Sequence, residues 1–298
     1  MVRAELERLE APYVVLSQRR AAEARMSFEV RAGRVTGVLE LDGSTWPLEF
    51  FDGVYTRLMD DRLLPELKGL PDGSAAATHS RQLHETLTRW CEISPARVVN
   101  RAEPMGSNMS KPFQAQLIAR HGLIVPETIV TSDPEAVRSF AAQHGDLVYK
   151  SISGVRSIVR QLEAADLARL EDVRWCPVQF QELVRGQDVR VHTIGAEVFA
   201  TAIVSDAVDY RYAHREGGDA KLEETDLDPA LSQRCVDLAA SLGLAFAGID
   251  LRVTPDGRVY CFEVNPSPAF SYYESHTGQP IANAVARHLC GMAASGSL

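Results

Sequence analysis

The sequence predicts an α+β fold rich in antiparallel hairpins. Three observations carry that prediction. Stretches with period-two alternation come in adjacent pairs, as in "SFEVRAGRVTGVLELDG", which turns at Ala32-Gly33. Helical stretches carry their own start and stop residues, as in "SDPEAVRSFAAQHG", with Ser or Asp before an early Pro and Gly145 at the end. A long strand–turn–strand, "FAGIDLRVTPDGRVYCFEVNP", closes the pattern near the C-terminus. With 298 residues, 45% hydrophobic and 24% charged, the chain has ordinary globular composition and room for two or three subdomains.

In chain order, residues 12–60 read mostly as strand: the apolar run "PYVVLS", the alternating hairpin, and "GVYTR" ending at Arg57. Residues 61–74 read as loop and broken helix. "AATHSRQLHETLTRWCE" has helical spacing, with Leu83, Leu87 and Trp90 on one stripe, and "RVVN" is a short strand. After a break at "RAEPMGSNMSKP", "KPFQAQLIARHG" reads as a helix with Pro112 in its first turn and Gly122 past its end. "VPETIVT", "DLVYKSIS", "CPVQFQELV" and "DVRVHTIGAEVFATAIV" read as strands, the last turning near Gly195. "DPALSQRCVDLAASLGL", capped by Asp228, and "TGQPIANAVARHLCGMAA" read as helices.

The bulk numbers exclude several classes. Net charge is −9, from 31 basic and 40 acidic residues, and no long basic run occurs, so nucleic acid is not the expected partner. The five cysteines, Cys91, Cys176, Cys235, Cys261 and Cys290, are widely spaced and odd in number. That argues against a disulfide framework or a structural zinc site and fits a reducing cytoplasm. No signal-peptide core is present, and no apolar run approaches the ~20 residues that span a bilayer. The expectation is a soluble cytoplasmic protein.

The chemistry concentrates in "GIDLRVTPDGRVYCFEVN". Glu263 and Asn265 lie two apart, hence on one strand face. A two-residue turn at Asp256-Gly257 sets Asp250 directly opposite Glu263, with Cβ atoms roughly 4.5–5.5 Å apart. A three-residue Pro-Asp-Gly loop breaks that pairing. Two carboxylates and an amide oxygen suit Mg²⁺, which takes hard oxygen ligands and leaves positions for phosphates. The alternative is a pair of surface acids on an exposed hairpin, against which stand the apolar flanks "FAGI" and "YCF".

These residues resemble the metal-binding hairpin of the ATP-grasp superfamily of carboxylate–amine ligases. The resemblance implies an ATP-grasp fold: two α+β subdomains clamping ATP plus a smaller N-terminal α/β domain. The expected boundaries are 1–100 for the N-terminal substrate domain, 101–182 for the central subdomain with its lid loop, and 183–298 for the C-terminal subdomain with the metal hairpin. The resemblance implies Mg²⁺ (or Mn²⁺) held by Asp250, Glu263 and Asn265. It implies ATP-phosphate contacts from Lys150, which ends "LVYKS", and from Lys111, with "SISGVRSI" as the covering loop. "QFQELVRGQDVRVHTIG" resembles the adenine linker, so Glu182 and Leu183 are expected at the base and Asp188 near the ribose and phosphates. Arg190 resembles the arginine that steadies the γ-phosphate and acyl-phosphate. Arg211 is expected at phosphates or acceptor, with Arg215 its rival, and Arg57 is a candidate anchor for a substrate carboxylate. For Lys111, Lys150, Glu182, Asp188 and Arg57 an ordinary surface role is the alternative.

More closely, "FEVNPSPAFSYYESHTGQPIANAVARHL" and "VPETIVTSDPEAVRSF" resemble the graspetide (microviridin-type) synthetases, and the ribosomal-protein glutamate ligases are also similar. The N-terminal part is shorter than that resemblance implies, which puts a peptide-binding insertion in doubt. The expected activity is ADP-forming ligation of a carboxylate to an amine or hydroxyl through an acyl-phosphate. The partners are the two substrates, which include a ribosomal precursor peptide if the closer resemblance holds, with no nucleic acid, no membrane and a possible homo-oligomer. No enzyme nucleophile is needed, and His192 and His214 are read as bystanders. A small-molecule kinase and a non-catalytic ATP-binding module are the alternatives.

Overall fold

The structure is a computed structural model and describes residues 1–71, 73–152, 159–204 and 221–293. Helix α1 (Val2–Arg8) precedes an antiparallel meander, β1 (Ala24–Arg31), β2 (Arg34–Leu41) and β3 (Ser44–Pro47). Next come β4 (Gly53–Tyr55), helix α2 (Ala75–Ile93) and β5 (Arg97–Val99), which pairs parallel to β4. Helices α3 (Ala102–Met105) and α4 (Lys111–Arg120) lead into β6 (Thr128–Thr131), α5 (Pro134–His144), β7 (Leu147–Ser151), β8 (Arg160–Gln161), α6 (Ala164–Ala168) and β9 (Val178–Glu182). The last part comprises β10 (Gln187–Ile194), β11 (Glu197–Val204), β12 (Lys221–Thr225), α7 (Pro229–Ser241), β13 (Phe246–Val253), β14 (Val259–Asn265), α8 (Ser271–Thr277) and α9 (Ile281–Leu289).

The helix ends follow the capping chemistry. Asp133 accepts from Glu135 N–H, Asp228 from the amides of Ala230 and Leu231, and Ser74 from Ala77 N–H. Each satisfies donors that the first helical turn leaves without partners. "PYVVLS" is not a strand. Residues 12–17 carry no regular element, and Val14 and Leu16 pack against the core formed by the meander and α2. The period-two pattern is that of an extended arm lying on a core, with no sheet edge to pair with.

Two antiparallel sheets dominate. One has order β6-β9-β7-β8 and buries Leu147 and Phe180 against Val137 of α5. The other has order β12-β11-β10-β13-β14. Its odd-numbered residues Val189, Val191, Ile249 and Leu251 pack with Leu231 and Leu238 of α7 and Ile118 of α4. Its opposite face meets Phe270, Tyr273 and α9 at one end, around Ile194 and Phe246, and carries polar groups at the other. Helix α1 joins this second core through Val2, packing on α9.

Two buried amides fix the C-terminal sheet. Gln114 on α4 donates to Val264 C=O (2.8 Å) and accepts from Val264 N–H (2.9 Å), so its side chain serves as a short strand partner for β14. Asn100 donates to the carbonyls of Phe246 and Pro266, both at 2.6 Å, and accepts from the amides of Ala245 and Phe246. It ties the start of β13 to the end of β14. Asn100→Ala leaves several buried backbone groups without partners, each costing about 1–3 kcal/mol. The expected loss is about 3 kcal/mol of unfolding free energy, read by urea denaturation. A loss within experimental error of zero refutes this role.

Candidate active site

The β13–β14 hairpin is closed by a Pro-Asp-Gly loop, not by a two-residue turn. Gly257, at φ +81°, donates to Thr254 C=O at 2.9 Å, and Thr254 N–H donates to Arg258 C=O at 2.9 Å. From there Val253 pairs with Val259 and Leu251 with Cys261. Continued unbroken, that register sets Phe262 opposite Asp250. A β-bulge intervenes: Phe262 is the extra residue, and beyond it Asp250 faces Glu263 and Gly248 faces Asn265. The expected pairing is present, but the bulge creates it rather than the turn.

Cross-strand register aligns the neighbours. Arg190 on β10 lies opposite Asp250, Asp188 opposite Arg252, and His192 opposite Gly248. One sheet face therefore carries Asp188, Arg190, Gly248, Asp250, Arg252, Glu263 and Asn265. The other face is the apolar core.

Each carboxylate has a cation. Lys111 Nζ stands 2.8 Å from Glu263 Oε2 and 2.6 Å from Asn108 Oδ1. The Arg190 guanidinium bonds Asp250 through Nη1. It is the most enclosed charge of the site, with 6% of its side chain exposed. It crosses β13 over Gly248, where a Cβ would lie 2.2 Å from Arg190 Nη2 and 2.7 Å from Pro268 Cβ. On its far side the Tyr273 ring centroid is 5.8 Å from the guanidinium carbon. Only glycine at 248 leaves this passage.

The donor set fits a divalent cation of the magnesium type: two carboxylates and the Asn265 amide, all oxygen, on one face. Asn265 Oδ1 also accepts from Ser267 N–H at 2.9 Å, which orients the amide in the turn after β14. Among the described residues no cluster of three or more His, Cys, Asp or Glu side chains could hold a metal. The set is thus the oxygen pair plus amide, not a zinc-type centre.

Other predicted residues stand as follows. Lys150 on β7 lies opposite Gln179 on β9. Glu182 ends β9, and its Oε1 accepts from Glu127 N–H at 3.1 Å. Leu183 N–H donates to Asp146 C=O at 2.8 Å, so this amide is occupied as β9 leaves the sheet, while Val184 N–H has no partner among the described residues. Asp188 does not present a free carboxylate. Arg252 forks onto it at 2.7 and 2.9 Å, a bidentate geometry that leaves little acceptor capacity. Arg57 donates to Pro268 C=O at 2.9 Å, at the loop that follows the β13–β14 hairpin. Arg156, Arg211, His214, Arg215 and most of the expected covering loop lie outside the described residues.

Arg252 was not singled out from sequence. It also donates to Val184 C=O at 2.7 Å and lies over the Phe262 ring at 5.1 Å, linking the 183–186 segment to the bulge. Its place two residues from Asp250 on the same strand is the signal that points to it. Gly248 was also missed, because a glycine inside a strand signals a close approach without saying of what. The Cys261 thiol behind the hairpin is fully buried, and burial pushes its pKa well above the ordinary range. It offers no nucleophile.

Residues 109–289 match the family model described as a RimK-like ATP-grasp domain. The chain belongs to the RimK-like ATP-grasp family. A probable alpha-L-glutamate ligase of Parasynechococcus marenigrum (strain WH8102) is 27% identical over 214 residues, covering 68% of this chain but 45% of that protein. One of Cellvibrio japonicus (strain Ueda107) is 28% identical over 231 residues, 74% of this chain and 75% of the other. The RiPP-associated ATP-grasp ligase of Chryseobacterium gregarium, solved with ADP and a leader and core peptide, superposes at TM-score 0.82 with 21% identity over 98% of this chain and 92% of that one. The ATP-grasp ligase PsnB, complexed with minimal precursor, Mg and ADP, gives TM-score 0.76 and 31% identity over 97% and 92%. No helix among the described residues is long and apolar enough to cross a membrane.

His192 gives a pH test. Its ring is fully buried and stacks edge-on to Tyr273 at 4.9 Å, and neither nitrogen makes a well-formed hydrogen bond among the described residues. Burial, then the Arg190 charge, depress its pKa well below 6.5, against a weak contact to the Ala269 backbone. The unfolded chain therefore binds a proton below about pH 6.5 that the native state refuses, so stability falls as pH falls through that value. The slope from this group approaches about 1.4 kcal/mol per pH unit. His192→Phe should flatten the stability profile below pH 6.5 relative to wild type. Parallel profiles for the two proteins refute the assignment.

Proposed function

We propose that the protein is an ATP-dependent, ADP-forming carboxylate ligase that acts on a peptide. The observation that carries this is the bulge-enforced pairing of Asp250 with Glu263, with Asn265 beside them and Arg190 and Lys111 on the carboxylates. Family membership supports the nucleotide, and the fold likeness to PsnB with precursor, Mg and ADP supports the peptide class. The proposed organisation is a substrate domain at 1–100, a central nucleotide subdomain at 101–182 and a metal-bearing subdomain at 183–298, in a cytoplasmic protein.

In the proposed reaction a substrate carboxylate oxygen attacks the γ-phosphorus and the bond to the β,γ-bridging oxygen breaks, giving ADP and an acyl-phosphate. An amine or hydroxyl then attacks the acyl carbon, and inorganic phosphate leaves. Asp250, Glu263 and Asn265 would hold Mg²⁺ (or Mn²⁺). When bound, the ion neutralises phosphate charge. Lys111, Lys150 and Arg190 oppose the remaining negative charge, and Arg190 is held rigid for the transferring group by Gly248, Pro268 and Tyr273. Glu182 and the 183–186 segment receive the base, with the Val184 amide in place of Leu183 as donor. Asp188 acts through Arg252 as a brace for that segment. Arg57 and Arg211 are the candidate contacts for the substrate carboxylate and the acceptor.

Four outcomes test the proposal. Millimolar MgATP should raise the melting temperature, with about 2.7 kcal/mol of stabilisation at 100 times the dissociation constant. No shift argues against a nucleotide site. Glu263→Gln should fold normally and lose Mg²⁺-dependent turnover, and full activity removes the metal assignment. Gly248→Ala forces Arg190 aside and should lower kcat roughly 100-fold. In the Arg190→Lys background the same change should cost little more, whereas a full second loss shows that Gly248 acts elsewhere. Release of phosphate that depends on the acceptor distinguishes ligation from kinase transfer.

A further inference from the structure

The two cations on the paired carboxylates are held differently. The Arg190 guanidinium, 6% exposed, is walled in by Gly248, Pro268 and the Tyr273 ring. Lys111, 22% exposed, reaches Glu263 from the first turn of α4 on a flexible four-carbon stem. Its ammonium also has a second acceptor. Asn108 Oδ1 lies at 2.6 Å and Glu263 Oε2 at 2.8 Å. Asn108 belongs to the turn Gly106–Met109, directly ahead of α4. A charged and a neutral oxygen therefore share the lysine. It can give up the carboxylate and still be held by the amide.

The position of the ammonium conflicts with a metal ion. Mg²⁺ binds carboxylate oxygens at about 2.0–2.1 Å and sheds its water reluctantly. Lys111 Nζ already stands at hydrogen-bonding distance from Glu263 Oε2, where it opposes an incoming dication both by its bulk and as a like charge. Lys111 and Arg190 between them also cancel the charge of the two carboxylates, and with it most of the attraction that a free ion would feel. Phosphates alter this balance. They offer Lys111 oxygens of higher charge than one carboxylate, and Asn108 keeps the ammonium nearby as it moves.

We propose that the Lys111–Glu263 ion pair is an autoinhibitory contact that bars divalent cations from the carboxylates until a nucleotide's phosphates draw the ammonium away. This rests on the nucleotide and metal reading above and assigns an order within it. The metal arrives with the phosphates and does not precede them. Lys111 is the movable barrier, because Arg190 is enclosed. The coupling is reciprocal: the factor by which nucleotide raises metal affinity is the factor by which metal raises nucleotide affinity.

The test is Mn²⁺ titrated into the nucleotide-free full chain, with the unbound ion followed by EPR. Wild type should show no saturation at submillimolar Mn²⁺. Lys111→Met should bind the ion at least about 10-fold more tightly, since the like charge is gone. Lys111→Gln, neutral but still able to donate to Glu263, should show a gain in the same direction and serves if the first variant does not fold. Adding Glu263→Gln to the variant that folds should abolish the gain. Equal Mn²⁺ affinity in wild type and the Lys111 variants overturns the proposal. So does tight Mn²⁺ binding by nucleotide-free wild type. A gain that survives Glu263→Gln puts the ion elsewhere and also overturns it. MgADP binding to wild type is measured separately by calorimetry. Its failure overturns the nucleotide reading, and the proposal with it, whatever the Mn²⁺ titrations show.

Discussion

Two carboxylates facing each other on adjacent antiparallel strands repel. At about 5 Å and an effective dielectric constant near 20 the repulsion is about 3 kcal/mol, and such pairs persist only where counter-charge is supplied. Asp250 and Glu263 are such a pair, and the surrounding structure is organised to tolerate it. Lys111 arrives from the first turn of α4, whose Gln114 is bolted to β14. Arg190 arrives from the neighbouring strand through the gap at Gly248. The counter-charges are themselves cations that a nucleotide's phosphates attract. In the proposed function, a metal ion at the carboxylates and phosphates at Lys111 and Arg190 would exchange these partners.

The bulge at Phe262 links geometry to chemistry. An odd loop would have left Asp250 opposite a phenylalanine and turned Glu263 and Asn265 toward the wrong face. One extra residue corrects both. The displaced Phe262 ring is then covered by Arg252, whose guanidinium also holds Asp188 and Val184 C=O. The β13–β14 hairpin and the 183–186 segment are thereby coupled by one side chain. Asp188 is held by that side chain in a bidentate pair.

The site also depends on distant parts of the chain. Asn100, at the end of β5, holds the start of β13 and the turn after β14, and Arg57 reaches Pro268 C=O in the next turn. The first hundred residues thus fix the loop that contains Pro268, one wall of the Arg190 passage. His192 and Tyr273 complete the enclosure from the other side with uncharged rings. Keeping His192 neutral beside Arg190 avoids a second like charge there.

The sequence by itself determined the longer helices α2, α4, α5, α7 and α9, the β13–β14 strand–turn–strand, and the shared face of Glu263 and Asn265. Each follows from local periodicity, capping residues and the donor chemistry of particular side chains. It also carried the family resemblance, because those residues sit in short contiguous motifs. Tertiary structure decided what depends on register and on residues far apart in the chain. The direct pairing of Asp250 with Glu263 turned on a bulge that no local signal marks. The commitment of Asp188 to Arg252, the occupied Leu183 amide and the absence of a strand at "PYVVLS" turned on which neighbours were present. The role of Gly248 appears only once a guanidinium from another strand lies beside it. A single residue's type states what it can bond, and only the assembled sheet states what remains for it to bond.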